Sequence, residues 1–370
     1  MNPFEPERLP PKDLDLLALV PLVGKANRAI ATLEGLLYGL PNPDVLLSPL
    51  TTQEAVISSK IEGTQADFED VLKFEAGEAP PEPARREDIH EIINYRRALR
   101  LAEQLLQPRP FCLNTLLQLH AVLMDGVRGH GKARGRFRTT QNWIGPEGTP
   151  IEQAVFVPPS PLHLQEHLNH WEAYWHADAP DPLVQIALLH AQFEILHPFL
   201  DGNGRLGRMI IPLFLYEKKV LSRPCFYLSA YFEARRDEYY NRLRDLGQPG
   251  SWTRWCGFFL EGVVEQARAT ARRARSMQDL YERLKKQVLD LTHSQYAVPL
   301  LDFMFGRPIF RSSEVAKLEH MPSVPMVAHL LGTLRRHGIL HTVREGAGRR
   351  PHVLALAELI NLCEGRKVLG

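Results

Sequence analysis

The sequence predicts a mainly α-helical protein with one short β-hairpin. Apolar residues recur at spacings of three and four through most of the chain, as between Ile92 and Leu106, and this period is that of an amphipathic helix. Residues 131–161 interrupt the pattern with turn-forming glycines and prolines around two strand-like runs, 142–144 and 154–157. The helical pattern resumes at Pro182, so we expect a helical core that carries a single hairpin.

Two helical regions come before this core. Residues 12–40 have the pattern of one or two helices. Ser48 followed by Pro49 is typical of an N-cap and the first residue of a helix, and the helix that starts there should run to about Glu62, where Gly63 ends it. Further along, a long arginine-bearing helix is expected from about residue 252 to residue 290.

The pattern changes again after residue 290. Three short helical runs, at 295–305, 311–319 and 323–337, come before two strand-like runs that flank a basic turn. This order is typical of a winged-helix domain, and it carries ten Lys and Arg against six Asp and Glu. The arginines that could neutralise DNA phosphates are Arg335, Arg336, Arg344, Arg349 and Arg350. Many winged helices bind proteins instead, so DNA contact is left open.

Bulk composition argues against several classes of protein. With 44% hydrophobic and 24% charged residues and a net charge of +1, the chain has no global attraction to nucleic acid, membrane or an acidic partner. Its four cysteines lack CxxC spacing, which argues against a zinc site and a disulfide framework. Neither a signal peptide nor roughly 18 uninterrupted apolar residues occurs. We expect a cytoplasmic protein with no membrane partner.

Residues 197–208, HPFLDGNGRLGR, have the pattern of an anion-binding loop. An apolar helix ends at His197, and a Gly-Asn-Gly turn opens the next helix near Arg205. Backbone N–H groups at such a turn, together with the positive end of the helix, attract phosphate. Glycine at 202 and 204 allows a ligand to approach the backbone closely.

Charged side chains add to this loop. Arg205 and Arg208 can make charge-assisted contacts to phosphate. The carboxylate of Asp201 would repel phosphate by itself, so its position indicates a Mg²⁺ ion between it and the phosphates.

The complete string resembles the Fic (filamentation induced by cAMP) family motif HPFxDGNGRxxR at every fixed position, and the likeness extends over residues 45–245. The resemblance implies a Fic-type helical core and a protein adenylyltransferase, which moves AMP from ATP to a Ser, Thr or Tyr hydroxyl of a target protein, the chain itself included. It also implies that His197 is the general base and that Asp201 holds Mg²⁺. By the same resemblance, the phosphates are bound by Gly202, Asn203, Gly204 and Arg205, and the γ-phosphate by Arg208.

Aromatic residues after the loop resemble the adenine pocket of Fic proteins, and Tyr231, Tyr239 and Tyr240 are the candidates. They fit a hydrophobic core equally well, and a Fic enzyme that transfers another group such as UMP would differ here. His190 lies seven residues before His197 on the same helix face. It is a second catalytic group or a buried structural histidine, and we expect the structural one.

Upstream, Ser58 and Glu62 match the [S/T]xxxE[G/N] signature of the Fic inhibitory helix and share one helix face. The resemblance implies that Glu62 pairs with Arg208 and so takes the charge that the γ-phosphate needs. The same glutamate could instead support removal of AMP. Alone, the pattern also fits an ordinary helix C-terminus.

The resulting domain prediction has three parts: an N-terminal helical region with the inhibitory helix, 1–85; a catalytic core with a flap hairpin near 138–159, 86–290; and a winged-helix domain, 291–370. The flap resembles the one that aligns targets in Fic proteins by strand addition. A rival interpretation is a DNA-binding regulator whose Fic domain is ancillary. A homodimer is also left open.

Overall fold

The computed structural model confirms a mainly helical chain with one small antiparallel sheet, and it describes residues 2–40, 42–80, 82–126, 133–146, 148–319, 321–348 and 350–369. The helices are α1 (Leu16–Tyr38), α2 (Pro43–Ile61), α3 (Phe68–Glu75), α4 (Pro83–Leu106), α5 (Leu113–Leu123), α6 (Pro161–His176), α7 (Pro182–Leu196), α8 (Asn203–Glu217), α9 (Ser229–Ala234), α10 (Arg236–Arg244), α11 (Ser251–Thr292), α12 (Ala297–Gly306), α13 (Ser312–Val315), α14 (Val324–Arg336) and α15 (Ala357–Glu364). The strands are β1 (Ile309–Arg311), β2 (His341–Arg344) and β3 (Val353–Ala355).

Two compact units divide the chain. The first comprises Met1–Gly35, Ile57–Thr64 and Ile93–Ala269, and the second comprises Leu36–Val56, Gln65–Ile92 and Thr270–Gly370. The domain boundaries expected after residues 85 and 290 fall within helices α4 and α11, and they stay predictions.

Helix α7 forms the centre of the first unit. Nearly every side chain from Leu183 to Leu196 is buried, so the helix is apolar on all sides rather than along one stripe. Asp181 caps its start by accepting hydrogen bonds from Leu183 N (2.9 Å) and Val184 N (3.1 Å). Helices α6 and α8 pack against it, and this packing fixes the position of the loop that joins α7 to α8.

Helix α2 begins earlier than expected. It starts at Pro43, and Pro49 lies inside it rather than at its first position. The start at Pro43 follows the same rule that favoured Pro49, because the missing N–H of proline costs nothing in the first turn. The helix ends at Ile61, and Gly63 adopts a left-handed conformation (φ 104°) just beyond it, close to the predicted end.

The second unit contains the three-stranded sheet, in the order β1-β3-β2 with both pairs antiparallel. Helix α14 packs its apolar face inward through Val327, Leu330 and Leu334. The run expected as helix at 311–319 starts as the end of β1 and continues as the single turn α13, because Arg311 pairs with Val353 of β3. These elements follow the order of a winged helix, and that assignment stays a prediction.

Helix α1 is the single helix of the described residues that is long and apolar enough to cross a membrane, with a mean hydropathy of 1.4 over its best window. This property concerns only the length and composition of the helix, and a helix in the core of a soluble protein can have the same length and composition. Ala26, Ile30 and Leu33 of α1 are buried. The expectation of no membrane partner therefore stays a prediction.

Candidate active site

His197 ends helix α7 in a left-handed conformation, with φ 44° and ψ 59°. Residues other than glycine rarely adopt this conformation, so the surrounding structure has to hold it. The carbonyl oxygen of His197 accepts hydrogen bonds from Arg138 Nε (3.0 Å) and from Asn142 Nδ2 (3.2 Å). Two side chains from the start of the flap region therefore fix the peptide of the expected general base.

The side chain of Asn203 closes the loop on itself. Its Oδ1 accepts from Phe199 N and its Nδ2 donates to Phe199 O, both at 2.8 Å, and the residue is buried. The side chain is thus committed to the loop, which refines the predicted phosphate-binding role. What Asn203 can offer an anion is its backbone N–H in the first turn of α8.

His120 supports the loop from helix α5. Gly135 N donates to its Nδ1 (2.8 Å), so the proton lies on Nε2, which donates to the carbonyl oxygen of Asp201 (3.1 Å). The ring also stacks on Phe199 at a centroid distance of 3.9 Å. Burial lowers the pKa of His120 to about 4, which keeps the imidazole neutral. Sequence reasoning missed this residue.

At the other end of the loop, Arg208 is buried and bound by the end of helix α2. Its Nη2 donates to Glu62 Oε1 at 2.7 Å and to the carbonyl oxygen of Ser58 at 2.8 Å. Its Nε donates to Ser58 Oγ at 2.9 Å. Glu62 therefore holds the arginine with which it was expected to pair, and Ser58 binds the same side chain.

The carboxylate of Glu62 also lies over the start of helix α8. A Cβ atom on Gly204 would clash with Glu62 Oε1 and would lie 3.0 Å from Arg208 Nη1. Only glycine at 204 leaves room for this arrangement. A carboxylate thus occupies the position, above the positive end of a helix, where the sequence predicts a phosphate.

Burial and neighbouring charges shift the pKa values of this site. Burial lowers the pKa of His197 to about 4, while Glu62 and Asp201 act in the opposite direction and Arg138 adds to the lowering. The imidazole is therefore neutral near pH 7 and can accept a proton. Burial also acts to lower the pKa of Arg208, but Glu62, Tyr239, Tyr240 and Glu194 together outweigh it and the net pKa is raised.

Glu194 is a second carboxyl group in the site that sequence reasoning missed. Burial raises its pKa to about 8, Arg208 opposes this shift and Glu62 adds to it. Its Oε1 makes no hydrogen bond within the described residues, and a Cβ atom on Gly207 would clash with it. Its position three residues before His197 was the only signal in the sequence.

A cavity of about 660 Å³ joins these groups in the first unit. Glu62, Glu194, His197 and Arg208 line one part of it, and α10 contributes Tyr239 and Tyr240. The prediction for Tyr231 is wrong. That side chain is buried against Gly262 and under the Arg235 guanidinium, 4.2 Å from its ring centre, because α9 turns it towards α11.

His190 is structural, as expected. Its Nδ1 donates to Gly207 O (2.7 Å), and its Nε2 accepts from the hydroxyl of Tyr239 (3.1 Å). Burial lowers its pKa to about 3, so the ring is neutral. Tyr239 therefore presents the cavity with its ring while its hydroxyl is bonded inside the core.

Asp201 and Arg205 lie close together, with 3.7 Å between Oδ1 and Nη2, and neither lines the cavity. Asp201 Oδ1 also accepts from Gly202 N at 2.7 Å. Within the described residues, no group of three His, Cys, Asp or Glu could hold a metal. A single carboxylate fits a Mg²⁺ ion that takes most of its ligands from substrate phosphates and water, and does not fit a resident metal.

The predicted flap hairpin is reduced to one antiparallel bridge, Ile144 with Phe156, and a 3-10 turn at Ile151–Gln153. Proline and glycine residues between the two runs shorten the ladder. Residues 131, 132 and 147 of the predicted hairpin region lie outside the described ranges. The side chains of Trp143, Ile144 and Val155 are exposed beside the cavity.

The fold and this site define a class of protein: a helical domain with a neutral histidine and an anion-binding helix start on one loop. Two family models match the chain, "Fic/DOC family N-terminal" over residues 20–104 and "Fic/DOC family" over residues 110–215. Together they cover slightly more than half of the sequence. The chain belongs to the Fic/DOC family.

Curated relatives are similar over a limited part. The chain is 28% identical over 136 residues to Protein adenylyltransferase Fic of Drosophila virilis, covering 35% of this chain and 25% of the relative. It is 27% identical over 148 residues to Protein adenylyltransferase fic-1 of Caenorhabditis elegans, covering 38% and 27%. The chain therefore spans about a quarter of the length of the curated relatives it matches.

Solved structures share the fold. A Fic family protein from Desulfovibrio desulfuricans G20 superposes with a TM-score of 0.57 at 19% identity, covering 96% of this chain and 98% of the other. Fic-1 from C. elegans, residues 134–508, gives 0.54 at 21% identity, covering 72% and 75%.

Proposed function

We propose that this protein is an adenylyltransferase that moves AMP from ATP to a Ser, Thr or Tyr hydroxyl of a target protein, and that Glu62 restrains it at rest. The observation that carries the proposal is the Glu62 carboxylate, which binds Arg208 at 2.7 Å and covers Gly204 at the start of α8. The Glu62 side chain lies at the position that the proposal assigns to a phosphate.

The neutral imidazole of His197 supports the base role. A hydroxyl of the target loses its proton to His197 as its oxygen bonds to the α-phosphorus, and the bond from that phosphorus to the β-phosphate oxygen breaks. Pyrophosphate leaves with that electron pair. Most of the rate then comes from holding the two reactants in line and from neutralising charge.

The phosphate chain is assigned to the start of α8 and to Arg208. The N–H groups of Asn203 and Gly204 lie in the first turn of α8 and can bind an anion there, with the positive end of a 15-residue helix behind them, whereas Gly202 N–H donates to Asp201 Oδ1. We propose Asp201 as the side chain that holds Mg²⁺, an ion that neutralises phosphate charge when bound.

The restraint is a competition for the same cation. Arg208 can bind Glu62 or a γ-phosphate through the same guanidinium edge, and the Ser58 contacts hold the side chain where it meets Glu62. The same proposal includes a second possible role for Glu62, which is to support removal of AMP after its carboxylate leaves Arg208.

The test is intact-mass measurement of Glu62→Gly incubated with Mg²⁺ and each nucleoside triphosphate in turn. We expect a gain of one AMP unit with ATP, and loss of that gain in Glu62→Gly/His197→Ala. ATP labelled at the α- or the γ-phosphate, added with cell extract, covers targets other than the chain itself. Transfer of the γ-label, or α-label transfer that survives His197→Ala, would overturn the proposal. A gain with UTP alone would replace AMP by UMP.

We also propose a cytoplasmic location, because all four cysteines are free thiols in the structure and three are buried. The DNA-regulator alternative receives no support from the second unit. Residues 324–334 of α14 carry no charged side chain, Arg335 pairs with Glu345 at 2.9 Å, and Arg344 pairs with Glu78 at 3.2 Å. Arg349 lies outside the described residues.

A further inference from the structure

Arg138 is a buried cation that binds main-chain carbonyls. It is 2% exposed, and no carboxylate pairs with it among the residues that the structure describes. A buried charge without a counter-ion costs free energy unless hydrogen bonds satisfy it. Burial accordingly lowers the pKa of Arg138 to about 10, so the side chain stays charged near pH 7.

The groups that Arg138 contacts lie in two parts of the site, the C-terminus of helix α7 and the flap. Towards helix α7, Arg138 donates to His197 O (3.0 Å) and Leu196 O (3.3 Å), and its own N–H donates to Pro198 O (2.9 Å). Towards the flap, it donates to Thr140 O (3.4 Å) and Pro159 O (2.5 Å). The same guanidinium therefore binds the C-terminus of α7 and both ends of the flap.

We propose that Arg138 is a positioning residue that holds His197 in its left-handed conformation and ties it to the flap, and this inference rests on the adenylyltransferase function proposed above. The carbonyls at a helix C-terminus carry partial negative charge, so a cation there stabilises the helix end. With that end fixed, the imidazole keeps its place relative to a hydroxyl on a segment aligned by the flap.

The charge of Arg138 has a second consequence, for the proton affinity of His197. The charged groups that act on this imidazole are Glu62 beyond α2, Asp201 on the loop and Arg138 at the start of the flap. Arg138 disfavours imidazolium, so removing its charge should raise the pKa of His197. A purely structural role for Arg138 would leave that pKa where it is.

The variants separate geometry from charge. Arg138→Lys keeps the charge, but one ammonium cannot reach all of these carbonyls, whereas Arg138→Gln removes the charge as well. Both are made in the Glu62→Gly protein. Arg136→Lys and Arg136→Gln are the matched controls, because Arg136 is exposed two residues upstream. Asn142→Ser removes the second donor to His197 O, an amide that also donates to Phe199 O at 3.0 Å.

We expect kcat for AMP transfer to fall about tenfold to a hundredfold in Arg138→Lys, with KM for ATP within about twofold. The kcat of Asn142→Ser should fall less, and the kcat of the Arg136 variants should not change. In Arg138→Gln, the acidic limb of the pH–rate profile should also move to higher pH. An NMR titration of His197 should show the same shift in protein without substrate.

The outcomes are distinguishable. An inactive Glu62→Gly parent counts against the proposed function and leaves the His197 titration to decide the role of Arg138. An active parent whose rate and His197 titration are unchanged by both Arg138 substitutions would overturn the inference. If Arg138→Gln does not fold, Arg138→Lys and Asn142→Ser carry the same test, and equal activity to the parent in both would overturn it.

Discussion

The two ends of the catalytic loop are held in different ways. At the His197 end, Arg138 and Asn142 bind main-chain carbonyls, and Asn203 binds the backbone of Phe199. At the Arg208 end, the partner is the carboxylate of Glu62, a residue outside the loop whose side chain is 33% exposed. Main-chain contacts are not exchanged for a ligand, whereas a carboxylate can be replaced by a phosphate. In the proposed function, the His197 end is therefore fixed and the contact that restrains Arg208 can be exchanged.

The two buried arginines make the same contrast. Arg138 and Arg208 are 2% and 3% exposed, so both are buried away from solvent. Arg138 is surrounded by carbonyl dipoles that stay in place, while Arg208 has a full negative charge that is able to leave. Substitutions at the two ends should therefore have opposite effects on activity.

The largest effect is expected at the fixed end. His197→Ala in the Glu62→Gly protein should lower the rate of AMP transfer about 10²- to 10⁴-fold, because the general base is lost. Initial rates with α-labelled ATP measure it. ATP affinity by calorimetry is the control and should be kept, since the phosphate contacts remain. A rate that falls less than about twofold would assign the base elsewhere.

The opposite sign is expected at the removable end. Glu62→Gly should raise the rate of AMP transfer about tenfold to a hundredfold over the unsubstituted protein, because Arg208 becomes available to phosphate. Glu62→Asp is the matched variant: it keeps the charge and shortens the reach, and should give a smaller increase. A rate that is unchanged or lower in Glu62→Gly contradicts the restraint.

A smaller increase is expected from Ser58→Ala. The substitution removes the hydroxyl that accepts from Arg208 Nε, while the Ser58 carbonyl and Glu62 still bind Nη2. One hydrogen bond contributes about 1 kcal/mol, so the basal rate should rise by up to about fivefold and the free energy of unfolding should fall by a similar energy. Ser59→Ala, on the next residue, is the control. Equal effects of the two substitutions would show that Ser58 has no special part.

The pH dependence should be weaker than for an ordinary histidine. A base with a pKa of 6.5 loses about fourfold in rate between pH 8 and pH 6. Burial holds the pKa of His197 at about 4, and removing Glu62 lowers it further, so kcat/KM of Glu62→Gly should change less than about twofold over that range. Adding Glu194→Gln controls for the other carboxyl in the cavity. A fourfold loss would show an unshifted base.

The smallest effect is expected in the second unit. Arg336→Gln at the end of α14 and Arg350→Gln in the expected wing remove two exposed charges and should leave AMP transfer unchanged within about twofold. Fluorescence anisotropy with random duplex DNA over a salt series should show no difference between this double variant and the parent. If the slope of log binding constant against log salt concentration drops by about two in the double variant, these arginines contact DNA phosphates.

Local sequence patterns predicted much of this site. The loop fits in twelve residues, and the spacing of four between Ser58 and Glu62 placed both on the face that binds Arg208. His120 and Arg138 were missed because their roles depend on contacts across 81 and 59 residues, which no local pattern encodes. Tyr231 was misplaced for a related reason: an aromatic residue has the same signature in a pocket and in a core.

The proposed restraint requires that Glu62 and the terminal phosphate of ATP compete for Arg208. Calorimetric affinities of ATP and ADP for the unsubstituted protein and for Glu62→Gly test this directly, in protein carrying His197→Ala to prevent turnover. We predict that Glu62→Gly tightens ATP binding about tenfold or more and ADP binding much less, because only ATP has the γ-phosphate that replaces the Glu62 carboxylate. Equal gains for both nucleotides, or none for ATP, would contradict it.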